Sequence, residues 1–205
     1  MATTIKLYDG QRSPNARKVR LLAAELGLNI ERVPVDFQKG DLRKPEFLAM
    51  NPNGKIPVID DDGFVVWESG AILKYLAKKR PEAGLIPLDP KGLARLDQWM
   101  FWWAGHVEGP LLTLIFEKLV KAFLKLGDPE QALIDDAMRH LARYLPVLEA
   151  EIGDRKFLLG EQCVFDFEVG AWMDTMKGLG VDLEPYPNLR AWHSRMEAKP
   201  YWKDA

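Results

Sequence analysis

A break rich in proline and glycine constrains this chain more than any other feature. Pro81, Gly84, Pro87 and Pro90 fall within residues 80–90. Proline fixes φ and lacks a backbone donor, and glycine admits turns, so no regular element runs through such a stretch. The hydrophobic patterning also changes across it. Strand and helix signals alternate before the break, and only helical periodicity follows it. The chain is therefore expected to form an α/β domain over residues 1–80, a linker over 81–90 and an all-helical domain over 91–205.

In the first part, Ile5 and Leu7 alternate with Lys6 and Tyr8 as in a short strand. Val19, Leu22, Ala23 and Leu26 then repeat at helical spacing, and Gly27 stands where a C-terminal cap belongs. Ile30, Val33 and Val35 predict a second strand, which Pro34 assigns to a sheet edge. A short helix is expected around residues 45–50. Apolar runs at residues 56–59 and 64–67 flank Asp60-Asp61-Asp62-Gly63 and predict a hairpin. Ile72, Leu73, Leu76 and Ala77 mark one face of a further helix that opens at Glu68-Ser69-Gly70.

Beyond the break, one long helical stretch is expected from residue 91 to 126, kinked at Pro110. Asp128 as N-cap and Pro129 at the first helical position predict the next start. Ile134, Ala137, Met138, Leu141, Leu145, Leu148 and Ile152 mark its inner face, with a bend at Pro146. Two more helices are expected over residues 164–177 and 187–198.

Composition excludes several classes. The 28 Lys and Arg against 30 Asp and Glu leave no basic excess, so recognition of nucleic acid is not expected. One cysteine cannot make an internal disulfide, which points to a reducing compartment. No segment approaches the ~18 consecutive apolar residues of a membrane span. The first six residues lack the apolar core of a secretory leader. A cytoplasmic protein without a membrane partner is the expectation.

Three short segments carry possible chemistry. At Ser13-Pro14-Asn15, a serine N-cap precedes a proline at the first helical position. Such a helix start attracts anions through its unpaired N–H groups and dipole. Arg12, Arg17 and Lys18 add positive charge nearby. Simple capping by Ser13 explains the same residues. At Lys55-Ile56-Pro57, an X-Pro bond before a strand is a candidate for the cis isomer. That isomer would free the Ile56 backbone for a ligand; an ordinary trans proline is the alternative. At Glu68-Ser69-Gly70, a carboxylate precedes a helix start with Ser69 as the expected cap. The pair suits a zwitterion, Glu68 taking an ammonium and Ser69 a carboxylate, or else only caps the helix.

In this order and spacing the three segments resemble the glutathione transferase superfamily. The resemblance spans essentially the whole chain. Its carriers are SPNARKV at residues 13–19, PEFLAMNPNGKIPVI at 45–59 and ESGAILKYL at 68–76. It implies a thioredoxin-like N-terminal domain, an all-helical C-terminal domain and a homodimer. It implies that Ser13 is the hydroxyl that stabilises the glutathione thiolate, with Asn15 sharing the task. Ile56, beside Pro57, would pair with the cysteinyl part, Glu68 and Ser69 would hold the γ-glutamyl group, and Lys55 would reach the glycyl carboxylate. Glutathione is then a substrate, and no metal is required. The implied activity is conjugation of glutathione to a small hydrophobic electrophile, a detoxification reaction, with peroxidase or disulfide reductase side activity. A glutathione-dependent disulfide reductase and a non-catalytic interaction module of the same fold are the alternatives.

Some residues depart from the family pattern. Cys163 stands where many relatives have Ser or Thr three residues before Asp166, and cysteine is a poor N-cap. Leu42 replaces a histidine found in some relatives, which removes that glycyl contact. Cys163, the one cysteine, is far in sequence from the first helix, which disfavours thiol-transfer chemistry through a cysteine. Trp99, Trp102, Trp103 and His106 share one helical face. Core packing explains most of them; the resemblance implies that Trp102, Trp103 or His106 lines the electrophile pocket. His140 and His193 suggest no role, and no cluster has metal-ligand spacing.

Overall fold

The alternation at the N-terminus forms strand β1 (Ile5–Asp9), with Ile5 and Leu7 buried and Lys6 exposed. Helix α1 (Pro14–Glu25) follows, and Gly27 takes the left-handed conformation just beyond it. Strand β2 (Ile30–Pro34) lies at the sheet edge, as Pro34 requires. A short α2 (Pro45–Met50) leads to the hairpin of β3 (Val58–Asp61) and β4 (Phe64–Trp67). Asp62 and Gly63 both have positive φ in its two-residue turn. Helix α3 (Ser69–Lys78) buries Ile72, Leu73, Leu76 and Ala77.

The sheet order is β2-β1-β3-β4; β1 is parallel to β2, and the other pairs are antiparallel. The computed structural model describes residues 4–205, so residues 1–3, part of the leader argument, lie outside the described residues. Among the described residues no helix is long and apolar enough to cross a membrane.

The chain divides into two units. Residues up to Ile86 together with Lys199–Ala205 form the first, and Pro87–Ala198 the second. The helical domain expected over residues 91–205 is thus amended at its end. The chain end joins the first unit through α1. Arg17 donates to the Trp202 carbonyl at 3.1 Å and lies over its ring, while Glu25 accepts from Lys199 at 2.9 Å and from the Tyr201 hydroxyl. Trp202→Ala should cost ~2 kcal/mol in urea unfolding, below the ~3–5 kcal/mol usual for a buried aromatic, because a terminal segment can detach locally. No measurable change would show that the chain end is not held.

In the second unit, α4 (Pro90–Trp102) runs through a π-helical stretch (Trp103–Glu108) into α5 (Gly109–Ile115). A second π-helical stretch (Phe116–Val120) leads to α6 (Lys121–Leu124). The first stretch sits just before Pro110, where the missing proline donor would otherwise break the helical ladder. It also changes the face. Trp99, Trp103, Val107 and Leu111 are buried at intervals of four residues rather than 3.6. His106 is thereby turned out to solvent.

Helix α7 (Gln131–Ile152) starts later than expected: Glu130, not Asp128, is its N-cap. The intervening residues are held instead by Glu117, which accepts the Glu130 N–H at 2.7 Å and pairs with the buried Lys121 at 2.6 Å. The helix continues past Pro146. Helix α8 (Val164–Gly178) is the buried centre of the unit, and α9 (Pro187–Glu197) packs against it. The carboxylate of Glu149 on α7 accepts the N–H groups of Asn188 and Leu189, both at 2.9 Å, at the start of α9.

The weak cap at Cys163 is compensated. Asp166, with 0% of its surface exposed, accepts the N–H groups of Cys163 at 2.9 Å, Leu158 at 3.0 Å and the Trp192 indole at 2.8 Å.

Candidate active site

The site of the first unit begins at the start of α1. Ser13 is the N-cap, and its hydroxyl oxygen accepts the Ala16 N–H at 3.2 Å. This cap uses acceptor capacity alone. A serine hydroxyl also has one proton to donate, so capping and donation to a bound anion are compatible. Pro14 at the first helical position has no N–H, which leaves the Asn15 amide as the next donor at the helix end. Ser13 and Asn15 are both partly buried. Of the expected positive charges, Arg12 is exposed, Arg17 engages Trp202 and Lys18 is fully buried.

The Ile56–Pro57 peptide bond is cis, as the sequence allowed. Pro57 is buried, and Ile56 lies outside the strand ladder just before β3. Asn51, which the sequence reading gave no role, organises this segment. Its side chain donates to the Lys55 carbonyl at 2.7 Å and accepts the Asn53 N–H at 3.1 Å. Its carbonyl accepts the Gly54 N–H at 2.9 Å. Gly54 has φ +60, and a Cβ there would meet the Leu42 carbonyl at 3.0 Å, so glycine is needed on both counts. Lys55 is exposed.

The third segment differs from expectation in one respect. Glu68 is the N-cap of α3 and Ser69 the first helical residue, so Ser69 is not the cap. Glu68 makes no side-chain capping bond and has φ 68 and ψ 109, a conformation costly for a residue with a side chain. Its carbonyl accepts the Ile72 N–H at 2.9 Å, which leaves its carboxylate exposed beside the helix start. Ser69 is nearly buried. The result is a carboxylate next to helix-end N–H groups, the two charge preferences needed by an amino-acid zwitterion.

The residues expected at an electrophile pocket lie in the second unit and differ in exposure. Trp103 has no exposed surface and packs against Phe165, which makes it a core residue there. Trp102 is half-buried and His106 exposed. His106 stacks on Tyr144 with ring centroids 5.0 Å apart, beside a groove of about 410 Å³ that is also lined by Thr113, Leu133, Asp136 and His140. Cys163 is buried, and burial pushes its thiol well above the usual range, which leaves it unreactive.

A cluster unseen in the sequence joins α8 to α9. His193 Nε2 lies 3.4 Å from Asp174 and its Nδ1 3.6 Å from Glu197. Each ring nitrogen faces its own carboxylate, so the arrangement reads as a bridge between helices.

Comparison with known proteins decides the family. The model of the glutathione S-transferase N-terminal domain matches residues 3–78, and that of the C-terminal domain matches residues 109–200. The chain belongs to the glutathione S-transferase family. It is 32% identical to glutathione S-transferase 3 of Zea mays over 202 residues, covering 96% of this chain and 90% of that one. It is 30% identical to glutathione S-transferase GstB of Escherichia coli (strain K12), covering 96% and 94%. Among solved structures, a glutathione S-transferase-I bound with lactoylglutathione superposes with a TM-score of 0.86 at 27% identity, covering 98% and 97%. A glutathione transferase family member from Pseudomonas fluorescens with two glutathione bound gives 0.82 at 26% identity, covering 98% and 91%. The four-stranded mixed sheet followed by a helical unit is the glutathione S-transferase fold.

Proposed function

We propose that the protein binds glutathione in its first unit and presents it as a thiolate to a small hydrophobic electrophile. The observation that carries this reading is the Ser13 cap, whose hydroxyl accepts from Ala16 and keeps its own proton to donate. Glu68 and the start of α3 suit the γ-glutamyl zwitterion, the Ile56 backbone beside Pro57 suits the cysteinyl part, and Lys55 suits the glycyl carboxylate. Two relatives of the fold whose structures hold glutathione or its lactoyl derivative support the ligand.

The energies suffice. A free thiol has a pKa of about 8.5. Lowering it by ~2 units needs roughly 2.7 kcal/mol of preference for the anion. One hydrogen bond to a charged sulfur contributes about 1.5–3 kcal/mol and a helix end about 0.3–1. The enzyme then contributes thiolate stabilisation and proximity, with no covalent intermediate on the protein.

Trp102 and His106, in edge-to-face contact, offer accessible aromatic surface for an apolar second substrate. A homodimer is part of the reading: Phe64, Trp67, Phe101, Leu112, Phe116 and Phe123 are large apolar side chains exposed on the single chain. The single buried cysteine suits a reducing, cytoplasmic setting.

Isothermal titration with glutathione, followed by conjugation of an activated aryl halide, tests the proposal. Saturable binding with thiol-dependent turnover is expected. Binding without turnover on electrophiles, but with reduction of mixed disulfides, would move the assignment to the reductase. No binding would leave a non-catalytic module.

A further inference from the structure

Buried charge lies behind the loop that carries Ser13. Asp9 ends β1 and is 3% exposed; Arg20, on α1, is 7% exposed. One terminal nitrogen of Arg20 donates to Asp9 Oδ1 at 2.5 Å, and the other to the Gln11 carbonyl at 3.2 Å. The second oxygen of Asp9 accepts from Arg32 Nε at 2.6 Å. The Ser13 N–H closes the loop onto the Gly10 carbonyl at 2.8 Å. A single guanidinium thus grips the loop on both sides of Gly10, between the end of β1 and the cap of α1.

We propose that Arg20 is a positioning residue for Ser13: its forked contacts to Asp9 and Gln11 fix the loop so that the Ser13 hydroxyl meets the sulfur of bound glutathione. The inference rests on the proposed function above.

Three features support it. The grip needs two donors at a fixed angle, which a guanidinium has and an ammonium lacks. Both oxygens of Asp9 are engaged, one by Arg20 and the other by Arg32, so Asp9 is a fixed anchor for the Arg20 fork. Arg20 Nε is also buried with no hydrogen-bond partner in the structure. An unsatisfied buried donor costs stability, and apolar residues in place of the whole Asp9–Arg20 pair would avoid that cost, so packing alone does not account for the pair. Burial lowers the proton affinity of Arg20, yet an arginine stays charged at neutral pH.

The test reads the pKa of enzyme-bound glutathione by thiolate absorbance in wild type, Arg20→Lys and Arg32→Gln. Arg32 shares Asp9 but, among the described residues, makes no hydrogen bond to the loop, and its side chain is 44% exposed. Arg20→Lys should raise the bound-thiol pKa by about one unit and lower kcat about tenfold at a pH of about 5.5, below both values, and about threefold at neutral pH, with KM for glutathione within about threefold, since one pKa unit is tenfold in thiolate only below both pKa values. Arg32→Gln should leave the pKa within about 0.3 units. A purely structural role would lower the melting temperature of Arg20→Lys and leave the pKa of the bound thiol unchanged; that result overturns the inference. Should Arg20→Lys fail to fold, Asp9→Asn combined with Arg20→Gln removes the buried pair and carries the same expectation and the same refutation. A wild-type protein that does not lower the thiol pKa would instead refute the proposed function, so the two failures are distinct.

Discussion

Asp166→Ala should destabilise the second unit by about 4 kcal/mol, seen as an early unfolding transition in urea followed by circular dichroism. The figure follows from the donors left behind. The N–H groups of Leu158 and Cys163 and the indole of Trp192 all end on this one carboxylate. Each buried donor left unpaired costs about 1–3 kcal/mol. The total is a large share of the 5–15 kcal/mol that holds a typical domain together. The three donors come from the segment before α8, the cap of α8 and the middle of α9, so a single side chain couples three parts of the unit. A loss below about 1 kcal/mol would mean that water or a neighbour replaces the carboxylate, and that the coupling assigned to Asp166 is incorrect.

Ser13→Ala should return the pKa of bound glutathione toward the value of a free thiol, about 8.5, and lower turnover near neutral pH by about twenty-five-fold. Affinity for glutathione should change little, because Glu68, Ser69 and Ile56 are untouched. The lost cap costs only ~1 kcal/mol, so the variant should remain folded. Ser13→Thr keeps the hydroxyl and should recover part of the activity. The companion variant Asn15→Ala separates the two chemistries. If it removes disulfide reduction while Ser13→Ala spares that activity, Asn15 carries the site and conjugation is not the main reaction. An unchanged thiol pKa in Ser13→Ala would remove Ser13 from the mechanism.

The first unit was the more legible in sequence because its signals are local. Pro34 cannot donate to a ladder and assigned β2 to an edge; two apolar runs around a turn ending in Gly63 predicted the hairpin; Ile72, Leu73, Leu76 and Ala77 share one face of α3. All three elements are present, with the first hairpin strand shifted to Val58–Asp61, so that Asp60 and Asp61 belong to β3 and the turn is Asp62-Gly63. The misses have non-local causes. Asp128 has the side chain of a good cap, but Glu117 and Lys121 hold the following segment and delay α7 to Gln131. His106 falls on the Trp99 face of a regular helix, and the π-helical stretch before Pro110 gives that face to Val107. No local pattern shows that Lys199–Ala205 belongs with α1.

The candidate site was legible in its outer residues and not in its supports. Ser13, Pro57 and Glu68 stand at helix or strand boundaries, where sequence signals are strongest. Asn51 and Arg20 act through hydrogen bonds to backbone carbonyls, and Asp9 by accepting from two arginines, which no spacing rule encodes. A polar residue within an apolar stretch was the available signal. Arg20 sits between Val19 and Leu21 on α1, in a run that is buried throughout. The exchange of roles between Glu68 and Ser69 has a similar cause, since a positive φ at Glu68 shifts the helix start by one residue.

The most direct measurement is the ultraviolet absorbance of glutathione thiolate on the purified protein, at saturating glutathione, across pH. The account predicts a single titration with a pKa about two units below that of free glutathione, displaced upward in Ser13→Ala. A bound thiol that titrates with the free value would contradict it: the first unit would then hold glutathione without activating it.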